Sequence, residues 1–556
     1  MKLCALEITN FKGIKEKVKI LIDSIVILIG PNNCCKSTIL DAYEAYCSNG
    51  SALTKDYFHN GSTLPPVEII GIFNDISEED IEALGKEWLI EADVDFGDCV
   101  KFKYRWEEPD KKGEKFSFSN KTNEWKKGGA GGWDSILSSR LPKPVRINPF
   151  DTTDKLELVL KDLIAKSVAE SIKHDKSKIA LIIDKIRELG KEIEKTIEDD
   201  INDINNSLKE NMINSFPGLD VYFDTDVGKF EPEKTIKEGS RFVFTTNEMR
   251  APLQNQGSGV QRAFLWSAIK AYSEKGLLKD GKTPLDASIS KILLIDEPEN
   301  NLHPSVIKAT REALYSLSTI PGWQIICTTH NPIFIDLSKD HTTIIKVSNY
   351  QSDIKYFQTD SAAFSEDEKA NLKMINLCNP MVNEFFFYNK ALLVEGETEE
   401  TALKLLFNKY NKFNNLCVIN CRGKANIPTF IKIISKFKAN GIAFHDADDE
   451  KTTSGKKNPM WTINEKILKE CNESKGCIYP IVHIKDFENY YLGETITKDK
   501  PYNIYQHIMS DNFDKDEKYE KLRNLVDLIE AGTHPNKYSS KEDFLKLLGN
   551  GNIEGI

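Results

Sequence analysis

Ile25-Val-Ile-Leu-Ile-Gly30-Pro-Asn-Asn-Cys-Cys35-Lys-Ser-Thr38 passes from an apolar, β-branched run into a short loop, and Ile39-Leu-Asp-Ala-Tyr-Glu-Ala45 continues as a helix. Strand, tight loop and helix in this order set backbone N–H groups and a helix N-terminus around an anion, which is what a phosphate-binding P-loop requires. Gly30 opens the loop, and the N–H groups from Asn33 to Cys35 line it. Lys36 reaches the β- and γ-phosphates, and Ser37, followed by Thr38, faces Mg2+. One position departs from the Gly-x-x-x-x-Gly-Lys-Ser/Thr pattern. Cys35 stands where the second glycine belongs, and a Cβ there crowds a backbone that passes close to phosphate.

Further along, Lys291-Ile-Leu-Leu-Ile-Asp-Glu-Pro-Glu299 is an apolar strand ending in paired acids. At such an end Asp296 meets Mg2+ through water, and Glu297 polarises an attacking water. Asn300-Asn-Leu-His-Pro304 turns into a helix, and Thr328-Thr-His330-Asn331 closes the next strand with a histidine placed for the γ-phosphate. Gln254-Asn-Gln-Gly-Ser258-Gly259-Val-Gln261-Arg262 opens another helix and offers a second phosphate-contacting end.

A second constellation lies in the last third of the chain. Ala391-Leu-Leu-Val-Glu395-Gly-Glu-Thr-Glu399-Glu400 is a strand, a glycine turn and a helix, so Glu395 and Glu399 can face one ion. Gly441-Ile-Ala-Phe-His-Asp446-Ala-Asp448 ends another strand, and period-2 alternation puts Asp446 and Asp448 on one face. Oxygen-only donors of this kind suit Mg2+ or Mn2+, and two such ions can flank a phosphodiester. His445 is expected to be structural rather than a general base. An isolated pair of aspartates in a turn is usually a solvated surface; the strand–Glu–Gly–helix element beside it changes that reading.

The first set of motifs resembles the ATP-binding-cassette head of SMC-like proteins, and the second resembles a TOPRIM domain. Together they resemble the overcoming-lysogenization-defect (OLD) family of nucleases, which includes the nuclease subunit of Gabija-type defence. The resemblance implies an α/β chain: an ABC-type ATPase head with a helical dimerisation insert, followed by a Rossmann-like TOPRIM domain. It also implies ATP with Mg2+, a two-metal nuclease site, DNA as substrate and a role against phage. Asp486 and Glu488 would join the metal site, and either Lys537 or Lys541 would steady charge on the scissile phosphate. Ser258 and Gly259 of one copy would complete the P-loop of another, predicting a homodimer. One family feature is absent: no Gln occurs before Gln254, so the metal-sensing glutamine has no candidate. With Cys35, this favours nucleotide binding over brisk hydrolysis.

Length and composition frame these readings. A chain of 556 residues, 40% hydrophobic and 29% charged, has room for about three domains. The expected division is 1–153 and 216–387 for the ATPase, 154–215 for a helical hairpin, and 388–556 for TOPRIM. The hairpin rests on apolar residues at helical spacing, such as Ile179, Ile182, Ile183 and Ile186. The apolar run Ile20 to Ile29 reads as a buried strand, too short and too polar to span a membrane. Eleven dispersed cysteines without CxxC spacing predict a reducing cytoplasm, not a disulfide frame.

A net charge of −11 argues against coating nucleic acid by bulk charge. Residues 401–440 nonetheless hold eight Lys and Arg and no acid, and lead into Asp446, so they are expected to track a phosphate backbone. The competing reading is an ATP-driven scaffold whose TOPRIM domain only binds. A third is a toxic effector held by a partner, such as a helicase or a retron reverse transcriptase with its DNA.

Overall fold

Asp23 and Ser24 break the apolar run Ile20 to Ile29, so it is not one strand: Val18–Leu21 and Ile25–Ile29 enter different sheets. A computed structural model of the chain describes residues 1–128, 140–148, 242–246, 249–257, 290–300, 302–336, 338–339, 342–350, 353–360, 365–378, 380–388, 390–412, 416–452 and 454–550, with scattered positions in 157–206 and 259–268. The hairpin expected over 154–215 falls outside the described residues, apart from isolated helical positions.

Packing divides the chain into two units. One holds Met1–Arg146, Ile292–Glu299 and Gln324–Ile556; the other holds Ile147–Lys291 and Asn300–Trp323. In the second, the hairpin Val243–Thr246 with Met249–Pro252 sets Phe242 and Phe244 edge-on to Phe264. Pro304–Ser318 is the helix expected after the Asn300 turn.

Three sheets organise the first unit. An antiparallel sheet runs Val18–Leu21, Lys2–Thr9, Val67–Asn74, Gly97–Trp106, Glu114–Ser119, Glu124–Lys127, with Ile90–Asp93 paired to Gly97–Trp106. A second sheet runs Asp353–Asp360, Thr342–Tyr350, Ile25–Ile29, Trp323–Thr329, Lys291–Asp296, Lys143–Ile147. Its P-loop strand pairs in parallel with both neighbours, Ile29 opposite Thr329 and Lys346. Strands buried on both faces are apolar throughout. Ile25–Ile29 is wholly so, and Trp323–Thr329 largely.

Between these two sheets lies the P-loop helix, Lys36–Cys47. Its Ile39, Leu40, Tyr43 and Tyr46 share one core with Leu6, Phe73 and Phe102 on one side and Val26, Leu28 and Ile326 on the other. Tyr46 meets Tyr104 edge-on at 5.4 Å, and Tyr104 stacks on Trp106 at 5.8 Å. Such ring pairs contribute about 0.5–1.5 kcal/mol each beyond their area.

The third sheet is wholly parallel: Leu416–Asn420, Lys390–Val394, Asn440–Asp446, Ile478–His483. Helices Glu397–Lys409, Ile427–Lys436 and Pro459–Glu473 connect the strands in chain order. Its inner strands therefore end side by side, at Val394 and Asp446. In open parallel sheets chemistry gathers beyond those carboxyl ends.

The P-loop helix carries an internal contrast. Tyr43 donates its hydroxyl to the Pro142 carbonyl at 2.5 Å, whereas the buried Tyr46 hydroxyl has no hydrogen-bond partner among the described residues. Tyr43→Phe is expected to lose about 1–2 kcal/mol of stability, and Tyr46→Phe to lose nothing or gain about 1 kcal/mol. Urea unfolding of the two variants measures the difference.

Candidate functional site

The helix Lys36–Cys47 starts immediately after Cys35, whose backbone is left-handed (φ 63°, ψ 30°). Glycine is used at such positions because an L residue costs about 1–2 kcal/mol there. Room for the extra side chain comes from Gly13, since a Cβ on Gly13 would lie 1.9 Å from Cys35 Sγ. Asn33 is also left-handed, at φ 61°. Lys36 is buried and donates to the Gly30 and Pro31 carbonyls at 3.0 and 2.8 Å, curling over the loop. Burial lowers its pKa, opposed by Cys34 and by Glu297, Asp296 and Glu299.

Asp296 is the hub of this site. Ser37 Oγ donates to its Oδ1 at 2.9 Å, Thr328 Oγ1 donates to the same oxygen, and Arg146 Nη2 lies 3.3 Å from Oδ2. His330 Nε2 lies 3.5 Å from Glu297 Oε1. Glu299 accepts from Thr329 Oγ1 and the His330 N–H, both at 2.7 Å, and burial raises its pKa. Lys36, Ser37, Asp296, Glu297 and His330 are thus one cluster. Arg146 and Glu299 belong to it and were not legible as site residues.

The signature segment is less simple. Ser258 lies outside the described residues, and Gly259 is helical. Gln261 turns its amide inward: the buried group donates to the carbonyls of Gln256 (2.6 Å), Leu253 (3.2 Å) and Gln254 (3.4 Å). It holds the turn from within.

At the carboxyl ends of the parallel sheet, Glu395 Oε1 accepts the Asp446 N–H at 2.7 Å. Burial raises the pKa of both; Asp446 adds to that of Glu395, and Asp486, Glu488 and Asp448 add to that of Asp446. Glu399, buried in the first helical turn, is pushed up to about 7 by burial and then by Asp446. Asp486 caps the helix Phe487–Leu492 by accepting the Asn489 N–H at 2.8 Å. Glu488, on that helix, is buried and paired with Lys500 at 3.0 Å.

Asp448 does not share Asp446's strand face. The strand ends at Asp446, and Asp448 sits in a left-handed turn (φ 57°) with its carboxylate 2.6 Å from Lys424 Nζ. Lys424 is buried and also donates to the Asp446 carbonyl at 2.5 Å. The expected basic track is largely spent in this way. Lys404, Lys409, Lys412, Arg422, Lys424 and Lys432 all sit in ion pairs.

His445 is fully buried and bonded through Nε2 to the Tyr538 hydroxyl at 2.7 Å, so its role is structural. The histidine that faces Asp446 is His483, with Nδ1 3.2 Å from Oδ1. Among the described residues neither C-terminal lysine pairs with the cluster. Lys537 Nζ lies 3.9 Å over the Tyr479 ring, and Lys541 pairs with Glu465. Lys424 and Lys500 are the lysines that do.

Among the described residues no three His, Cys, Asp or Glu side chains converge tightly enough to hold an ion as they stand. The donor set fits one nonetheless. It is oxygen-rich and raised in proton affinity by burial first and by its neighbouring carboxylates second, the condition a divalent cation relieves.

Comparison with known proteins matches residues 1–142 and 151–335 to the AAA ATPase domain family, and residues 386–448 to the overcoming lysogenization defect protein-like TOPRIM domain. The chain belongs to the OLD family of ATPase–TOPRIM nucleases. It is 25% identical to the Old nuclease of Escherichia phage P2 over 81% of this chain and 77% of that one. It is 24% identical to the OLD nuclease of Thermus scotoductus over 50% of this chain, and 24% to Endonuclease GajA of Bacillus cereus over 62%. It spans about half the length of those last two relatives, 48% and 53%. Among solved structures, the Smc head domain from Pyrococcus furiosus, bound to a ScpA domain, matches 68% of this chain and 99% of that one, at 16% identity and TM-score 0.39.

In this OLD-family chain the loop departure at Cys35 is matched by Gly13, and the pairing is open to test. Gly13→Ala alone should cost about 1–3 kcal/mol and weaken nucleotide binding, because a Cβ at position 13 and Cys35 Sγ cannot coexist. Adding Cys35→Gly should restore both. Thermal unfolding and ATP titration of the single and double variants check this; equal losses in both would remove the Gly13–Cys35 pairing as the cause.

Proposed function

We propose that this protein is a nucleotide-regulated, divalent-metal-dependent DNA endonuclease acting in antiphage defence. The observation that carries the reading is the contact of Glu395 with the Asp446 N–H at the ends of one parallel sheet, with Glu399, Asp486 and Glu488 near enough to raise the proton affinity of that pair. These residues would hold Mg2+ or Mn2+, and a bound ion supplies Lewis acidity at a phosphodiester.

The chain's own groups have separable tasks. His483 orients Asp446, and Lys424 fixes the turn that follows it. Lys500, partly exposed and bound to Glu488, is the lysine best placed to face a scissile phosphate. Lys36, Ser37, Asp296, Glu297 and His330 would take ATP with Mg2+. Two contacts support control of the nuclease by the ATPase. Lys346, opposite Ile29 in the P-loop sheet, donates to the Tyr388 carbonyl at 2.9 Å, two residues before the strand that leads to Glu395. Lys432 pairs with Glu368 at 2.9 Å. A second copy would supply Ser258 and Gly259 to the P-loop, making the working form a homodimer.

Supercoiled plasmid incubated with the protein and Mg2+ or Mn2+, with and without ATP, should be nicked or linearised, and EDTA should stop the reaction. Glu395→Gln and Asp446→Asn should each lower the rate about a hundredfold or more while ATP still binds. Lys500→Ala should cost more than Lys537→Ala. Absence of strand breaks in every metal and nucleotide condition would overturn the nuclease reading.

A further inference from the structure

The nucleotide site lacks a glutamine to sense its metal, yet one cationic side chain reaches the metal-facing carboxylate. Arg146 lies in the strand Lys143–Ile147, which borders Lys291–Asp296 in the same sheet. Its guanidinium is 3.3 Å from Asp296, 3.4 Å from Asp41 and 3.8 Å from Glu44, the last two on the P-loop helix. Both Arg146 and Asp296 are largely withdrawn from solvent, at 13% and 14% exposure. Water therefore screens their pairing only weakly.

We propose that Arg146 is the metal-responsive group of the nucleotide site, a resident cation that holds Asp296 until Mg2+-nucleotide displaces it. This rests on the reading of Lys36, Ser37 and Asp296 as a nucleotide site. The oxygens of Asp296 are divided: Oδ1 takes the Ser37 and Thr328 hydroxyls, and Oδ2 takes Arg146. A metal between Ser37 and Asp296 would meet Oδ1 while the guanidinium sits on Oδ2, so the two cations would repel each other across one carboxylate. A neutral glutamine adds no repulsion to the ion; an arginine does, and that repulsion drives it off Asp296.

The contacts suit an exchange. Among the described residues the carboxylate pairs of Arg146 span 3.3 to 3.8 Å, against 2.5 Å for Arg140–Asp80 and 2.6 Å for Lys12–Asp41 in the same unit. After release, Asp41 and Glu44 remain to receive the guanidinium.

The consequence is a particular dependence on metal. Without Mg2+, Arg146 neutralises Asp296 and lets phosphates approach; with Mg2+, the ion does so. ATP affinity measured by calorimetry in EDTA and in Mg2+ gives a ratio that reads this directly. Arg146→Gln should lose about tenfold in EDTA, the size of one charged hydrogen bond, and lose nothing in Mg2+, so the Mg2+-to-EDTA affinity ratio rises about tenfold. Arg146→Lys, which keeps the charge, should return the EDTA affinity towards wild type.

A purely structural arginine predicts something else: equal losses in both conditions, with Lys no better than Gln. That result, or an unchanged ratio in both variants, would overturn the proposal. Failure of the wild-type protein to bind ATP in either condition would instead overturn the nucleotide reading beneath it. Thermal unfolding of the ligand-free variants shows whether each is folded, and Arg146→Lys keeps the test decisive where Arg146→Gln is not.

Discussion

A carboxylate at the end of a buried parallel strand is held where solvent cannot fully neutralise it, so its charge must be met by something in the fold. Both sites of this protein are built under that constraint. At the nucleotide loop Asp296 stands at a strand end near Glu297 and Glu299; at the third sheet Glu395 and Asp446 stand near Glu399, Asp486 and Glu488. Each group is steadied by a cation brought from elsewhere in the chain: the half-buried Arg146 in the first, the buried Lys424 in the second. Removing one partner of such a pair leaves an uncompensated buried charge, which is why these two residues matter more than their neighbours on the surface.

The two cations work differently because their chemistry differs. Arg146 offers a planar fork that spans three carboxylates at once, none of them closely. Lys424 is a point charge gripped by a carboxylate at 2.6 Å and a backbone carbonyl at 2.5 Å. The loose fork suits a pair that opens, and the tight grip suits a turn that must keep its shape. Asp448, left-handed and tied to Lys424, is accordingly part of the scaffold that presents Asp446.

What could be read from the sequence was local and ordered. The P-loop, the Asp296-Glu297 strand end, His330 and the strand–Glu395–Gly–Glu399 element each carry their geometry in consecutive residues, and all fold as read. What escaped depended on contacts between distant positions. Arg146 reaches Asp296 across 150 residues, Lys424 reaches Asp448 across 24, and His483 reaches Asp446 through strand pairing. Alternation misplaced Asp448 because the period-2 rule holds only while the strand continues, and this strand stops at Asp446. Cys35 could be flagged as a departure, but its remedy, Gly13, lies far earlier in the loop after the first strand, with no local signature.

The charge pattern shows the same limit. Residues 401–440 looked like a track for a phosphate backbone because they hold eight cations and no acid. In the fold, Glu368, Glu397, Glu400, Asp448, Asp514 and Glu530 claim six of those cations. Absence of acids nearby in sequence is not absence of acids nearby in space. The carboxylates Glu395, Glu399, Asp446, Asp486 and Glu488 at the third sheet outnumber the lysines beside them, Lys424 and Lys500, so the cluster turns negative as its raised acids lose their protons. A phosphate backbone is repelled from such a cluster until further positive charge is added.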